Sequence, residues 1–118
     1  MQSQMLKLTI NTHFDAAHHL PNYSGACHNL HGHRFNVRII ILGTVDPETG
    51  MVVDFKIVKR IINELDHNLL NNIVENPTAE NLTIYLQEHL CANLPKNVSS
   101  VNVCIWESPD CSVEVYNA

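Results

Sequence analysis

Five of the chain's eight histidines, His18, His19, His28, His31 and His33, fall within sixteen residues. His31 and His33 flank Gly32 at the start of an apparent strand, so a period of two aims both imidazoles at one face, and Gly32 removes the side chain between them. A third nitrogen from the preceding loop would complete a three-histidine set. Such a set suits zinc with a fourth position left for water or substrate. Local pattern does not choose between His18 and His19, because adjacent residues point to different sides. Cys27, four residues before His31, places a thiol near the same metal. A ligating thiol would be deprotonated outright, whereas an unligated one beside a cation would have a lowered pKa and could move protons near neutrality. Cys91 and Cys104 read as core thiols.

Two acidic positions join the set. Glu107 continues the inward-looking series Val101, Val103 and Ile105, and so presents a carboxylate to a pocket at a strand's end, where it would bind amidine-like N–H pairs. Asp66-His67 ends a helical stretch, where an imidazole can interact with the helix dipole; position alone leaves the role of the pair open.

The elements that must position these groups are legible from periodicity. Leu6, Leu8, Ile10, Thr12 and Phe14 share one side of an extended segment, which predicts a half-buried strand. A second strand runs from His33 to Thr44, closed by the turn residues Asp46-Pro47-Glu48-Thr49-Gly50, with Met51 to Val53 as a hairpin extension. Asp54 can cap a helix whose Phe55, Val58, Ile61, Ile62 and Leu65 fall at helical spacing. Thr78 can cap a second, with Leu82, Leu86 and Leu90 in one stripe, until Pro95 forbids continuation. Val101 to Glu107 alternate as a third strand, and Ser108-Pro109-Asp110 turns into a fourth, Cys111 to Tyr116. The order ββααββ predicts an α+β domain, a four-stranded antiparallel sheet with two helices on one face.

Composition narrows the function. At 118 residues the chain is one domain, residues 1–118, and 45% hydrophobic content excludes a disordered chain. Seven Lys and Arg against twelve Asp and Glu give a formal charge of -5 with no basic cluster, which argues against direct nucleic-acid binding. There is no apolar run long enough for a membrane span and no signal-like N-terminus, so a cytoplasmic protein with free thiols is expected. No His-Glu-x-x-His helix supports a zinc hydrolase. A non-catalytic zinc-stabilised assembly module, its coordination sphere closed by Cys27 or a carboxylate, is the rival of a different class.

Phe14-Asp15-Ala16-Ala17-His18, Cys27-His28-Asn29-Leu30-His31-Gly32-His33, Val53-Asp54-Phe55, Leu65-Asp66-His67, Asn76-Pro77-Thr78-Ala79-Glu80-Asn81 and Glu107 together resemble the 6-pyruvoyl tetrahydropterin synthase family. The three-residue gap between Cys27 and His31 is similar to that of its carboxy-forming bacterial branch, the 6-carboxy-5,6,7,8-tetrahydropterin synthases of queuosine biosynthesis. The resemblance implies a tunnelling fold whose sheets join across subunits into a barrel, in a homo-oligomer of hexamer size. It implies one zinc per subunit on His18, His31 and His33, with Cys27 as proton-abstracting residue assisted by His67 and Asp66. Glu107 would anchor the pterin, with Thr78 and Glu80 near that pocket. The implied reaction converts 7,8-dihydroneopterin triphosphate to 6-carboxytetrahydropterin, releasing acetaldehyde and triphosphate. A pyruvoyl-forming synthase or related pterin lyase is the alternative of the same class. Ala79 stands where some relatives carry a second hydroxyl residue, so it is left out of the site.

Overall fold

The structure is a computed structural model that describes residues 4–116. The first alternating segment forms β1 (Leu6–His18), with Ile10, Phe14, Ala16 and His18 buried on one side. The strand outlasts the Leu6-to-Phe14 pattern because Ala16 and His18 keep the same phase. His18 therefore sits at the end of a strand, not in the loop expected to supply the third nitrogen.

Strand β2 (His31–Gly43) returns antiparallel, its ladder running without a slip from Leu6 opposite Gly43 to His18 opposite His31. A one-residue shift would turn every inward side chain outward, so the buried face fixes this register. Phe35, Val37, Ile39 and Ile41 face the same core. At Gly43 a Cβ would lie 2.6 Å from the Asn97 carbonyl oxygen and 2.7 Å from Val52 Cγ1, so only glycine allows that close approach.

Met51 to Val53 form a bend instead of the expected hairpin extension, and Val52 and Val53 turn into the core. Asp54 then caps α1 (Phe55–Asn63), its Oδ1 accepting from the Lys56 amide at 2.9 Å. Val58, Ile61 and Ile62 are buried, whereas Phe55, at the first helical position, is exposed. Thr78 caps α2 (Ala79–Asn93) by accepting from the Asn81 amide at 3.0 Å. Leu82, Leu86 and Leu90 form the buried stripe, as the spacing predicts. Cys91 is exposed, contrary to its reading as a core thiol, because it lies about 100° round the helix from Leu90. Cys104 is buried, as expected.

Strand β3 (Val98–Ser108) pairs with β2, and β4 (Cys111–Glu114) pairs with its far end, a shorter strand than the one expected to reach Tyr116. Where β4 no longer covers β3, the Gln87 side chain from α2 does so. Its Oε1 accepts from the Val103 amide at 2.9 Å and its Nε2 donates to the Val101 carbonyl. The sheet order is β1-β2-β3-β4, antiparallel throughout, with α1 packed on β1 and α2 on β3. The α+β architecture is the expected one. One core lies between the sheet and the helices, and Phe14 and Phe35 stack at 4.9 Å beneath the strand ends that carry the histidines.

Candidate metal centre and active site

The register of β1 and β2 brings three imidazoles together. His18 and His31 are cross-strand partners, and His33 lies opposite Ala16 on the same face. Their ring centroids are 4.5 Å apart for His18 and His31, 4.8 Å for His31 and His33, and 5.2 Å for His18 and His33. Phe35 meets the His18 and His33 rings edge-on from below, at 5.6 and 5.4 Å. His19, on the other side of the backbone, stays outside; its amide donates to Asn71 Oδ1 at 3.0 Å.

Two backbone carbonyls set the tautomers. His18 Nδ1 is 2.7 Å from the Pro77 carbonyl oxygen, and His31 Nδ1 is 2.7 Å from that of Asn29. A carbonyl can only accept, so each Nδ1 carries the proton and each Nε2 is left with a lone pair. The Nε2 atoms of His18, His31 and His33 are all buried without a hydrogen-bond partner. Burial pulls the His18 imidazole below its ordinary pKa against the Pro77 contact, and it pulls His33 down against the nearby Glu107 charge. Buried, unpartnered, convergent nitrogens are costly in an apolar setting and favourable around a cation. A divalent metal fits them, and second-sphere carbonyls that orient the rings are what such a site requires.

Glu107 approaches the same point from β3. One ligand atom from each of His18, His31, His33 and Glu107 lies within 4.8 Å of all the others. Glu107 Oε1 is 3.3 Å from His33 Nε2. This proximity depends on the pairing of β2 with β3 and had no sequence signal beyond the inward phase of Val101, Val103 and Ile105. Cys27 is not part of that cluster. It lies half-buried in a single helical turn, Ala26–His28, which is tied back where the Leu20 amide donates to the Cys27 carbonyl at 2.8 Å.

Asp66 and His67 stand at the outer edge of β1. His67 adopts a left-handed backbone (φ 57°), and its amide donates to the Asp15 carbonyl at 2.6 Å. The Asp15 amide donates to Asp66 Oδ1 at 2.8 Å, and Asp66 Oδ2 faces His67 Nδ1 at 2.7 Å. That backbone N–H, with His67 second, holds the Asp66 carboxyl below the usual carboxylate range. The exposed His67 ring lines an open depression with Asp15, Gly32, His33 and Arg34. Asp15 in turn receives Arg34 through two hydrogen bonds, 2.9 and 3.1 Å, which lower its pKa. Among the described residues, no hydrogen bond joins the Asp66–His67 pair to Cys27.

Thr78 follows the carbonyl that holds His18, and its side-chain oxygen is used as the α2 cap; Glu80 is exposed in the first helical turn. The Pro77 and Asn29 carbonyls, which orient two of the rings, are groups that side-chain reasoning missed. The Asn76-Pro77 pair before the helix marks the first in the sequence, and no signal marks the second.

The family model for 6-pyruvoyl tetrahydropterin synthase matches residues 7–118. A protein of Archaeoglobus fulgidus provisionally named 6-carboxy-5,6,7,8-tetrahydropterin synthase is 42% identical over 107 residues, covering 87% of this chain and 90% of its own. The dihydroneopterin monophosphate aldolase of Pyrococcus furiosus is 36% identical over 106 residues, covering 86% and 90%. The solved structure of Caenorhabditis elegans 6-pyruvoyl tetrahydropterin synthase covers 100% of this chain and 99% of its own, with 27% identity and a TM-score of 0.77. The helix-backed sheet, the histidine centre at its strand ends and a match along nearly the whole sequence place this chain in the 6-pyruvoyl tetrahydropterin synthase family.

Proposed function

We propose that the chain is a zinc-dependent 6-carboxy-5,6,7,8-tetrahydropterin synthase, converting 7,8-dihydroneopterin triphosphate to 6-carboxytetrahydropterin with release of acetaldehyde and triphosphate, a step of queuosine biosynthesis. The observation that carries the reading is the convergence of three buried Nε2 atoms without a hydrogen-bond partner at one point beside a carboxylate. Relatives that bear this name, among them that of Rickettsia bellii at 30% identity over 138 residues, support the choice of reaction.

His18, His31 and His33 hold the metal, and bound zinc supplies Lewis acidity toward the hydroxyls of the substrate side chain. Cys27 accepts the carbon-bound proton of that side chain; a thiol suits the task because its reference pKa, about 8.5, lies near neutrality. Asp66 orients His67, which relays or returns the proton. Since Asp66 and His67 sit at the β1 edge, the pair serves the Cys27 of a neighbouring copy if sheets join edge to edge. Among the described residues, the outer edge of β1 is bonded only near Asp15 and Ala17, so it is free to do so. A barrel of sheets within a hexamer is the assembly that this edge suits. Glu107 takes the N–H pairs of the pterin's guanidine-like edge, with Thr78 and Glu80 beside it.

A second reading is favoured by the aldolase relative, 36% identical. Cleavage of the side chain as an aldol would release a two-carbon hydroxyaldehyde that still carries the phosphate ester, instead of acetaldehyde and free triphosphate. Product analysis of the purified, zinc-loaded protein decides between them. Acetaldehyde with 6-carboxytetrahydropterin supports the synthase; a hydroxyaldehyde, or a pyruvoyl product with no aldehyde, refutes it.

A further inference from the structure

The four groups at the centre are not held alike. His18 and His31 are each pinned through Nδ1 to a backbone carbonyl at 2.7 Å, and the Phe35 ring supports His18 and His33 from below. Glu107 has no such support: among the described residues nothing donates a hydrogen bond to its carboxylate, and its side chain remains 30% exposed. It also lies where the pairing of β3 with β4 is irregular, between Trp106 and Ser108, so its backbone is not locked by a regular ladder.

The contact of Glu107 Oε1 with His33 Nε2 has a telling length. It is 3.3 Å, and the nitrogen still counts as unpartnered, so the two atoms are neighbours without a hydrogen bond between them. Two atoms bound to one tetrahedral zinc at about 2.0–2.1 Å stand about 3.3 Å apart. The distance and the missing hydrogen bond both fit two ligand atoms turned toward a common third point, with the His18 and His31 nitrogens beside them.

We infer that Glu107 is a displaceable fourth zinc ligand, closing the coordination sphere at rest and leaving it when a pterin enters. This rests on the metal reading above and goes beyond it, because it gives one carboxylate two successive partners. The three imidazoles are the fixed part of the site and the carboxylate is its moving part. The resting metal is thereby kept from binding water or stray anions, and the corner opens only when the hydroxyls of the substrate side chain offer the metal a replacement for the carboxylate.

The test begins with the wild-type protein in the absence of pterin. A crystal structure of the zinc-loaded protein should place a Glu107 oxygen at about 2.0–2.2 Å from the metal. A water in that corner, with Glu107 beyond hydrogen-bond distance, overturns the inference. Competition against a chromophoric chelator should show E107A, checked for fold by circular dichroism, binding zinc at least about tenfold more weakly than wild type; equal affinity overturns it. With cobalt in place of zinc, the visible bands of wild type should shift when 7,8-dihydroneopterin triphosphate is added. Unshifted bands while product forms would exclude displacement. Failure of wild type to bind any metal at the three histidines would instead refute the function proposed above, and a metal-loaded protein that binds Glu107 but turns over no pterin would refute the function while sustaining the ligand assignment.

Discussion

His18 and His31 are the last register pair of the β1–β2 ladder, and their rings meet at 4.5 Å with both Nδ1 protons spent on backbone carbonyls. The convergence of the imidazoles is thus a product of strand pairing. Replacing His31 by Ala should abolish stoichiometric zinc binding while leaving the sheet intact, because residue 31 is only half-buried and its ladder bonds are main-chain. Metal analysis after dialysis, with circular dichroism beside it, checks this; full zinc content in H31A would remove His31 from the centre.

C27A should keep its zinc and lose turnover by at least about a hundredfold, the usual worth of a positioned acid or base. The sulfur lies outside the cluster of close ligand atoms, which is why metal and activity are expected to separate. Loss of metal together with activity would make Cys27 a ligand.

Phe35 is fully buried, stacks on Phe14 and touches two of the histidine rings. F35A should cost about 3–5 kcal/mol of stability, read from urea unfolding, and weaken zinc binding in whatever fraction remains folded. F35L should keep most of the stability. If F35L binds zinc as tightly as wild type, the edge-on contacts matter for packing alone.

The lowered pKa of Asp66 has a pH consequence of definite sign. The folded state binds the Asp66 proton less readily than the unfolded state, so this group adds stability above its unfolded pKa, about 3.9, and loses it as the pH falls through the folded value. The stability gap between wild type and D66N should therefore be constant from pH 7 to pH 5 and close on further acidification. Urea midpoints measured across that range would show it; a gap that persists at the acid end would mean that charge is not the source.

What could be read in the sequence was local. Asp54 and Thr78 were recognisable as caps because each bonds an amide two or three residues ahead of it, and the Leu82, Leu86 and Leu90 stripe needs only the helical period. His18 could not be chosen over His19 from spacing, since the choice depends on Ala16 and His18 continuing the phase of β1, and alanine carries little signal of side. The meeting of Glu107 with His33 and the tie of Asp66 to Asp15 are both contacts between distant segments. No period within a segment reports such a contact. Cys91 was misplaced for the opposite reason: its type suggests burial, and its angular position on α2 overrides type.

The carbonyl that receives the His18 proton belongs to Pro77, and the next residue, Thr78, starts α2. The hinge between loop and helix is therefore also the rear mount of one imidazole. Warming that frays only the opening turn of α2 would tilt the ring well before the sheet melts, so a coloured ion seated among the histidines would act as a thermometer for a single helical turn.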